Sequence, residues 1–278
     1  MPTPLSVRNT NLPRNQFQHS STLAGWHWLI PGIPLVMWLV IELFTTPNAF
    51  FLQINQRARI LPDNIWIFFD LLGNGWYDFA LATPLLLLAP RNLIASLYAG
   101  AIAGLLGRIL KLTFELPRPA SVIDPASFHI LGNPLTSLAM PSGHTLTAFA
   151  LATAFYFSSA PEKRKPLMVL FLFATSAGIA RIAVGAHWPA DVMAGAALGI
   201  CGGLVGAVLS VKLPEHLLNA QSWLMRGLAA GSILCVYVLL TSEIDFIAAK
   251  PFQWFAASVG ILGLIAFAYK TVRHPRSY

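Results

Sequence analysis

Three short groups of basic, histidine and acidic residues lie at the ends of hydrophobic segments in this chain of 278 residues, only 10% of which are charged. They are Lys111 with Arg118-Pro119, then Pro141-Ser142-Gly143-His144, and finally Arg181 with His187 and Asp191. Fixed cations neutralise a phosphate group, and a histidine with a carboxylate behind it can act as a nucleophile or a proton carrier. The sequence therefore predicts an active site that handles phosphate.

The cations of this predicted site come from the ends of two helices. Lys111 precedes Arg118 by seven residues, and Pro117 and Pro119 end the helix so that Arg118 can fold back over the site. Arginine offers a planar fork that pairs with two phosphate oxygens, whereas lysine acts as a point charge. A lone lysine could simply extend to the membrane interface, but together with Arg118 and Arg181 it favours phosphate binding.

Ser142 and Gly143 come directly before a long apolar run, which is typical of the start of a helix. Ser142 is suited to the N-cap position, and Gly143 allows a ligand to approach the backbone closely. Free N–H groups at a helix start favour an anion. We therefore expect His144 to lie beside the bound phosphate and to donate a proton to the leaving oxygen.

His187 and Asp191 are four residues apart, so on one helix face the carboxylate can orient the imidazole. This spacing is typical of an activated nucleophile; the alternative is a structural His–Asp pair at the membrane interface. In the mechanism that follows, His187 attacks phosphorus to form a phosphohistidine, Asp191 stabilises the imidazolium and His144 protonates the leaving group. Because no cluster of carboxylates accompanies these residues in the sequence, we expect no bound Mg²⁺ or Zn²⁺ and no cofactor.

The apolar composition predicts an all-α, polytopic membrane helix bundle. The chain is 56% hydrophobic, with a mean hydropathy of +0.64, and apolar runs of about 18 residues or more are long enough to cross a bilayer. Eight predicted spans lie near 24–45, 73–90, 92–110, 145–160, 167–185, 190–211, 224–242 and 252–270. Residues 49–72 mix charged and aromatic residues, which predicts helices lying at the membrane interface.

Three regions follow from these runs. Residues 1–23 are predicted to be a cytoplasmic segment without a cleaved signal peptide, residues 24–211 a six-span core, and residues 212–278 an accessory hairpin of two spans with a cytoplasmic tail. The longest polar connection, 112–143, carries Arg118 and is expected to shape the mouth of the site. The hairpin shows no clustered polar residues and is predicted to stand outside the site.

The distribution of lysine and arginine predicts the orientation of the spans. With the N-terminus in the cytoplasm, most basic residues fall in cytoplasmic connections, and the three groups of candidate residues meet on the opposite face. The topology therefore accounts for the formal charge of +7. The sequence has no basic stripe interleaved with aromatic residues, so it does not indicate a nucleic-acid partner. Cys201 and Cys235 fall inside predicted spans, where we expect them to pack as small apolar residues.

The three motifs resemble those of the type 2 phosphatidic acid phosphatase family, whose superfamily includes bacterial acid phosphatases and vanadium haloperoxidases. In this chain they are Lys, six residues, Arg-Pro; Pro-Ser-Gly-His; and Arg, five residues, His, three residues, Asp, within 111–191. The resemblance implies a set of phosphate-binding residues, namely Lys111, Arg118, Ser142, Gly143 and Arg181. It also implies a set of catalytic residues, namely the nucleophile His187, its partner Asp191 and the acid His144.

One position departs from the family pattern. The family usually has serine immediately before the arginine of the third motif, whereas this chain has Ala180. A hydroxyl donor to phosphate is then missing, while the charged donors remain. We expect weaker phosphate binding or a different substrate, with catalysis retained.

The resemblance implies an integral-membrane phosphatase that acts on a lipid phosphate or pyrophosphate, at the periplasmic or outer face of a bacterial inner membrane. Undecaprenyl diphosphate is the favoured substrate. The alternatives at the same residues are lipid A, phosphatidylglycerol phosphate, phosphatidic acid, and transfer of phosphate to another lipid. A lipid transporter would spread its cations along a midplane path, and an inactive structural protein has no need of both histidines. The oligomeric state stays open.

Overall fold

The chain folds into helices. The computed structural model describes residues 23–273, and within that range it contains no β-strand. The α-helices are α1 (Gly32–Phe44), α2 (Pro47–Ala58), α3 (Asp63–Leu71), α4 (Gly75–Ala82), α5 (Leu85–Leu88), α6 (Pro90–Phe114), α7 (Pro119–Val122), α8 (Gly143–Ser158), α9 (Pro161–Leu167), α10 (Val169–Ala183), α11 (Pro189–Val211), α12 (Trp223–Thr241) and α13 (Lys250–Arg273). The predicted all-α class is confirmed. Nearly all of the predicted segment 1–23, and residues 274–278 of the tail, lie outside the described residues.

Six helical stretches of the described chain are long and apolar enough to cross a membrane. They are Gly25–Phe44, Pro90–Val122, Pro161–Ala183, Pro189–Val211, Glu215–Thr241 and Ile247–Arg273. Six of the eight predicted spans correspond to these stretches. The other two predicted spans, 73–90 and 145–160, are helical but interrupted or shorter.

These two shorter passages still connect opposite ends of the bundle. α8 runs antiparallel to α6. Gly107, near the end of α6, lies against Leu146, near the start of α8. Asn92, near the start of α6, donates a hydrogen bond at 2.9 Å to the hydroxyl of Ser158 at the end of α8. The 16 residues of α8 extend about 24 Å at the usual helical rise. The segment 73–90 is split into α4 and α5 at Pro84, which has no N–H to continue the helix.

Small residues let α11 approach α8 and α6 closely. A Cβ atom at Gly199 would lie 2.4 Å from the carbonyl oxygen of Leu146, and one at Gly206 would lie 2.4 Å from that of Ala95. Glycine avoids both overlaps, as small residues do at the interfaces of membrane helices. This close packing fixes the start of α11 relative to the start of α8 and the end of α6.

α2 and α3 form the region 49–72 that was predicted to lie at the interface, and both pack against α10. Phe51 is fully buried in this packing, and so is the carboxylate of Asp70 at the end of α3. The region is helical as predicted, but it also brings a charged group into the interior. That charge belongs to the site described below.

Asn55 on α2 links three parts of the chain. Its side-chain amide donates to the carbonyl oxygens of Ile182 at 3.0 Å, Ala183 at 3.1 Å and His129 at 2.9 Å, and its oxygen accepts from the His129 N–H at 2.8 Å. Asn55 is fully buried. It therefore holds the end of α10 and the long connection 115–142 in one arrangement.

α12 and α13 form the predicted hairpin and pack against α4. Tyr77 and Ala80 of α4 share a buried apolar cluster with Val236 of α12 and Ala257 of α13. The connection 242–249 between the two hairpin helices lies at the same end of the bundle as the start of α4. The hairpin is thus joined to the rest of the bundle mainly through α4.

Replacement of Asn55 by alanine should lower the free energy of unfolding by about 1–3 kcal/mol, because each buried polar group that loses its partner carries a desolvation cost of that order. Thermal unfolding of the purified protein in detergent measures the change. Gln56→Ala, an exposed position on the same helix, is the matched control. Equal unfolding temperatures for the two variants would contradict the role given to Asn55.

Candidate active site

His187 and Asp191 form a buried pair at the start of α11. The imidazole Nδ1 lies 3.1 Å from Asp191 Oδ2, and the Trp188 N–H donates to the same oxygen at 2.9 Å. A carboxylate only accepts hydrogen bonds, so Nδ1 carries the proton and Nε2 keeps its lone pair. The predicted pairing of His187 with Asp191 is present, and the role of His187 as nucleophile stays a prediction.

The environment keeps this imidazole neutral. Burial lowers the pKa of His187 well below its ordinary value, and the positive charges of Arg181, Arg118 and Lys111 and the neighbouring His144 lower it further. A neutral ring is the form that can attack phosphorus. The same cations that would attract a phosphate therefore also keep His187 in its nucleophilic form.

Lys111 lies in the last turn of α6, and Arg118 lies at the start of the polar connection that follows this helix. Lys111 donates to the carbonyl oxygen of Ala139 at 3.1 Å, and Arg118 donates from Nε to that of Ser137 at 2.9 Å and from a terminal nitrogen to that of Ala186 at 3.1 Å. Arg118 thus folds back over the site, as the flanking prolines predicted. Its contact with Ala186 brings the guanidinium next to His187.

Ser142 and Gly143 begin α8 as predicted, but their contacts differ from the expected cap. Ser142 occupies the N-cap position without a hydrogen bond from its hydroxyl to the helix backbone; the hydroxyl instead accepts from Thr145 at 3.0 Å. The Ser142 N–H donates to the backbone oxygen of Asp191 at 2.9 Å. A Cβ atom at Gly143 would meet no atom of the described chain within 4 Å, so space for a ligand lies on this side of the turn.

Arg181 is buried and paired with a carboxylate that was not among the predicted site residues. One terminal nitrogen of its guanidinium donates to Asp70 Oδ1, and both side chains are almost completely buried. The Arg181 Nε has no hydrogen-bond partner within residues 23–273. Arg181 therefore retains a buried donor, while Asp70 neutralises its charge.

His144 contacts two carboxylates. Its Nε2 lies 3.2 Å from Asp245 Oδ2 and 3.6 Å from Asp70 Oδ2, and Asn74 donates to Asp245 Oδ2 at 2.9 Å. Asp245 lies between α12 and α13 with a left-handed backbone (φ 55°). Two sequence expectations are therefore wrong: the hairpin does not stand outside the site, and carboxylates do accompany the histidines.

The contacts of Asp245 determine its charge. Burial by itself raises the pKa of this carboxyl, but the hydrogen bonds from His144 and Asn74 and the positive charge of Arg181 outweigh that effect and lower it to about 2. Asp245 is consequently ionised at neutral pH. An ionised carboxylate only accepts hydrogen bonds, so Asp245 accepts one from His144 Nε2 at 3.2 Å and orients that ring.

The predicted topology places both carboxylates on the face of the site. Residues 49–72 and the connection between the last two predicted spans fall on the same face as the three motifs, and these segments contain Asp70 and Asp245. Helical periodicity does not show which side chains at one end touch. The sequence therefore located the face of the site but not these two members.

Ala180, where the family usually has serine, is fully buried beside Arg181. It shares an apolar cluster with Ala58, Trp66 and Ala186. The effect of this substitution on phosphate binding stays a prediction.

Comparisons with known proteins identify the family. Residues 92–214 match the PAP2 superfamily. The Aquifex aeolicus LpxE crystal structure superposes with a TM-score of 0.51 and 33% identity, over 59% of this chain and 94% of that protein. The chain belongs to the PAP2 superfamily, as the motifs predicted, and its apolar helices make it an integral membrane protein.

Two named relatives share parts of the sequence. A lipid A 1-phosphatase of Porphyromonas gingivalis is 41% identical over 70 residues, which is 25% of this chain and 16% of that protein. An undecaprenyl-diphosphatase of Sulfolobus acidocaldarius is 26% identical over 184 residues, which is 63% of this chain and 86% of that protein. The superfamily match ends at residue 214, before α12 and α13, so Asp245 lies beyond the matched residues.

Asp245→Asn should slow turnover by roughly tenfold or more, because hydrogen bonds to charged groups contribute about 1.5–3 kcal/mol. With the pKa of Asp245 at about 2, the native carboxylate is charged throughout the neutral range. The amide of the variant no longer offers a charged acceptor to His144, so the ring loses an orienting hydrogen bond and turnover falls. Measurement of kcat with the detergent-purified protein tests this loss.

Glu243→Gln is the matched control for this change, since Glu243 is exposed two residues before Asp245. Its kcat should equal that of the unmodified protein. An unaltered kcat for Asp245→Asn would remove Asp245 from the site.

Proposed function

We propose that the protein is a membrane lipid phosphatase that hydrolyses a lipid phosphate or pyrophosphate at the non-cytoplasmic face of a bacterial inner membrane. The observation that carries this proposal is the buried His187–Asp191 pair beneath Lys111, Arg118 and Arg181. Membership of the PAP2 superfamily supports it, as do the two relatives that are named as phosphatases.

The reaction proceeds in two displacements. In the first, His187 Nε2 attacks phosphorus and the bond from phosphorus to the leaving oxygen breaks, while His144 gives that oxygen a proton. Asp191 stabilises the positive charge that develops on the His187 ring. In the second, His144 takes a proton from water, whose oxygen displaces His187 and releases inorganic phosphate.

The cations act on the charge of the transferring group. Lys111 and Arg118 donate to backbone carbonyl oxygens, and phosphate oxygens would replace these weaker acceptors. Arg181 contributes its unpartnered Nε. Preorganised donors of this kind stabilise the charge that spreads over the equatorial oxygens in the transition state.

The names of the relatives support two substrates. Undecaprenyl diphosphate, the substrate favoured by the sequence analysis, agrees with the name of the Sulfolobus relative. Lipid A agrees with the name of the Porphyromonas relative, which has the higher identity over a shorter stretch. Transfer of phosphate to a second lipid would use the same residues with another acceptor in place of water.

His187→Ala should abolish phosphate release from lipid A and from undecaprenyl diphosphate, because His187 is the group that forms the covalent intermediate. Release of inorganic phosphate by the detergent-purified protein measures the loss. His216→Ala changes an exposed histidine at the far end of the bundle and should leave the rate unaltered. Turnover that persists in His187→Ala would exclude the phosphohistidine mechanism.

A second prediction concerns metals. The phosphate charge is balanced by fixed cations, so phosphate release should continue at an unaltered rate after treatment with EDTA. Assays of treated protein with and without added Mg²⁺ or Zn²⁺ measure this. A strict requirement for either ion would count against the proposed chemistry.

A further inference from the structure

A cavity of about 710 Å³ lies between α4 and the helices α6, α8 and α10. Its walls are mainly apolar, with Leu81, Leu97, Leu151 and Phe155 among the lining side chains. The volume falls within the range of about 300–1,000 Å³ that is usual for small-molecule sites. The mechanism described above does not use this cavity.

The cavity begins directly below the site and follows α8. Its lining residues on that helix are spaced along one face, from Thr147 and Ala148 to Phe155. Thr147 is three residues beyond His144 and Phe155 eleven, which corresponds to depths of about 4.5 Å and 16 Å along the helix. Half the thickness of a bilayer core is about 15 Å, so the cavity has the depth of one leaflet.

The cavity also reaches the outer surface of the bundle. Ala101 on α6 and Phe173 on α10 line it and are themselves exposed. These positions face the lipid in a protein that spans the membrane. A hydrocarbon chain can therefore enter from the side while its headgroup stays at the site.

The hairpin produces the far wall of the cavity. α4 packs on α12 and α13 rather than on α6 or α8. At this interface a Cβ atom at Gly260 of α13 would lie 2.7 Å from Val236 of α12 and 3.3 Å from the carbonyl oxygen of Ala80 of α4. A Cβ atom at Gly263 would lie 3.0 Å from the Pro84 nitrogen at the α4–α5 break. The space thus exists because the hairpin holds α4 away from the core.

One polar group in the upper wall lacks a partner. The Asp78 Oδ2 atom is buried and accepts no hydrogen bond from residues 23–273. Asp78 is one of the residues that line the cavity. Asp78 follows Asn74 by four residues, about 6 Å deeper along α4, and Asn74 is bonded to Asp245 beside His144. An unpaired buried acceptor at this depth is costly unless a ligand supplies a donor.

We infer that the cavity binds one acyl chain of the substrate and that Asp78 accepts a hydrogen bond from a hydroxyl or amide N–H between the phosphate and that chain. The inference rests on the proposed function and narrows its substrate to acylated lipids that carry a hydroxyl or amide N–H between the phosphate and the chain, as lipid A does. A polyprenyl diphosphate has hydrocarbon from its first carbon onward. Its chain would leave the Asp78 acceptor unpaired.

The chain offers a pair of glycines that test the cavity. Gly100 lines it and Gly104, one turn along α6, does not; a Cβ atom at either position meets no described atom within 4 Å. Gly100→Leu and Gly100→Phe should lower kcat/KM for lipid A at least tenfold, with the larger effect for phenylalanine. Gly104→Phe is the matched control and should keep the native value.

Binding of inorganic phosphate shows that each variant retains a folded site. Phosphate should raise the unfolding temperature of the Gly100 variants as much as that of the native protein. Equal kcat/KM for lipid A in Gly100→Phe and Gly104→Phe would overturn the cavity assignment. Phosphate binding by the native protein without release from any lipid would instead overturn the proposed function.

Asp78 is tested by a comparison of two lipids. Asp78→Leu should lower kcat/KM for lipid A about tenfold and leave that for undecaprenyl diphosphate unchanged or higher. Asp78→Asn keeps an acceptor oxygen and should restore most of the activity on lipid A. An equal loss on both lipids in Asp78→Leu, or no loss on lipid A, would refute the role of Asp78.

Discussion

Asp191 is the residue on which the arrangement of the site depends. Its side chain accepts from the His187 imidazole and from the Trp188 N–H, while its backbone oxygen accepts from the Ser142 N–H. One residue therefore fixes the His187 ring, the start of α11 and the start of α8. Since α8 begins with the motif that carries His144, the two histidines take their places from a common support. The close glycine packing of α11 on α8 makes that support rigid.

A second constraint is the balance of charge in an apolar bundle. Lys111, Arg118 and Arg181 converge near one imidazole, and charges of like sign in a poorly solvated place repel strongly. The protein balances them with carbonyl oxygens and with the buried carboxylate of Asp70. The carboxylate of Asp245 lies beside His144. These groups hold the cations and the second histidine in position.

The hairpin of α12 and α13 connects this site to the proposed lipid-binding surface. Its connecting loop supplies Asp245 to His144, and its helices hold α4 away from α8. Asn74 at the start of α4 donates a hydrogen bond to Asp245. A part of the chain beyond the superfamily match thereby adjoins His144 and forms the wall of the cavity beside it.

The sequence by itself determined the helical class, the three motifs and the face on which they meet, because apolar runs and residue spacing along a helix are local properties. Spacing of four residues was enough to pair His187 with Asp191. Tertiary structure alone decided that Asp70 neutralises Arg181, that Asn55 ties α2 to α10, and that Asp245 reaches His144 across 101 residues of sequence. Such contacts depend on how helices pack and tilt, and the distance between two helices is set by every side chain between them. The space between α4 and α8 has the same origin, since it exists only because α4 has a better apolar partner in the hairpin.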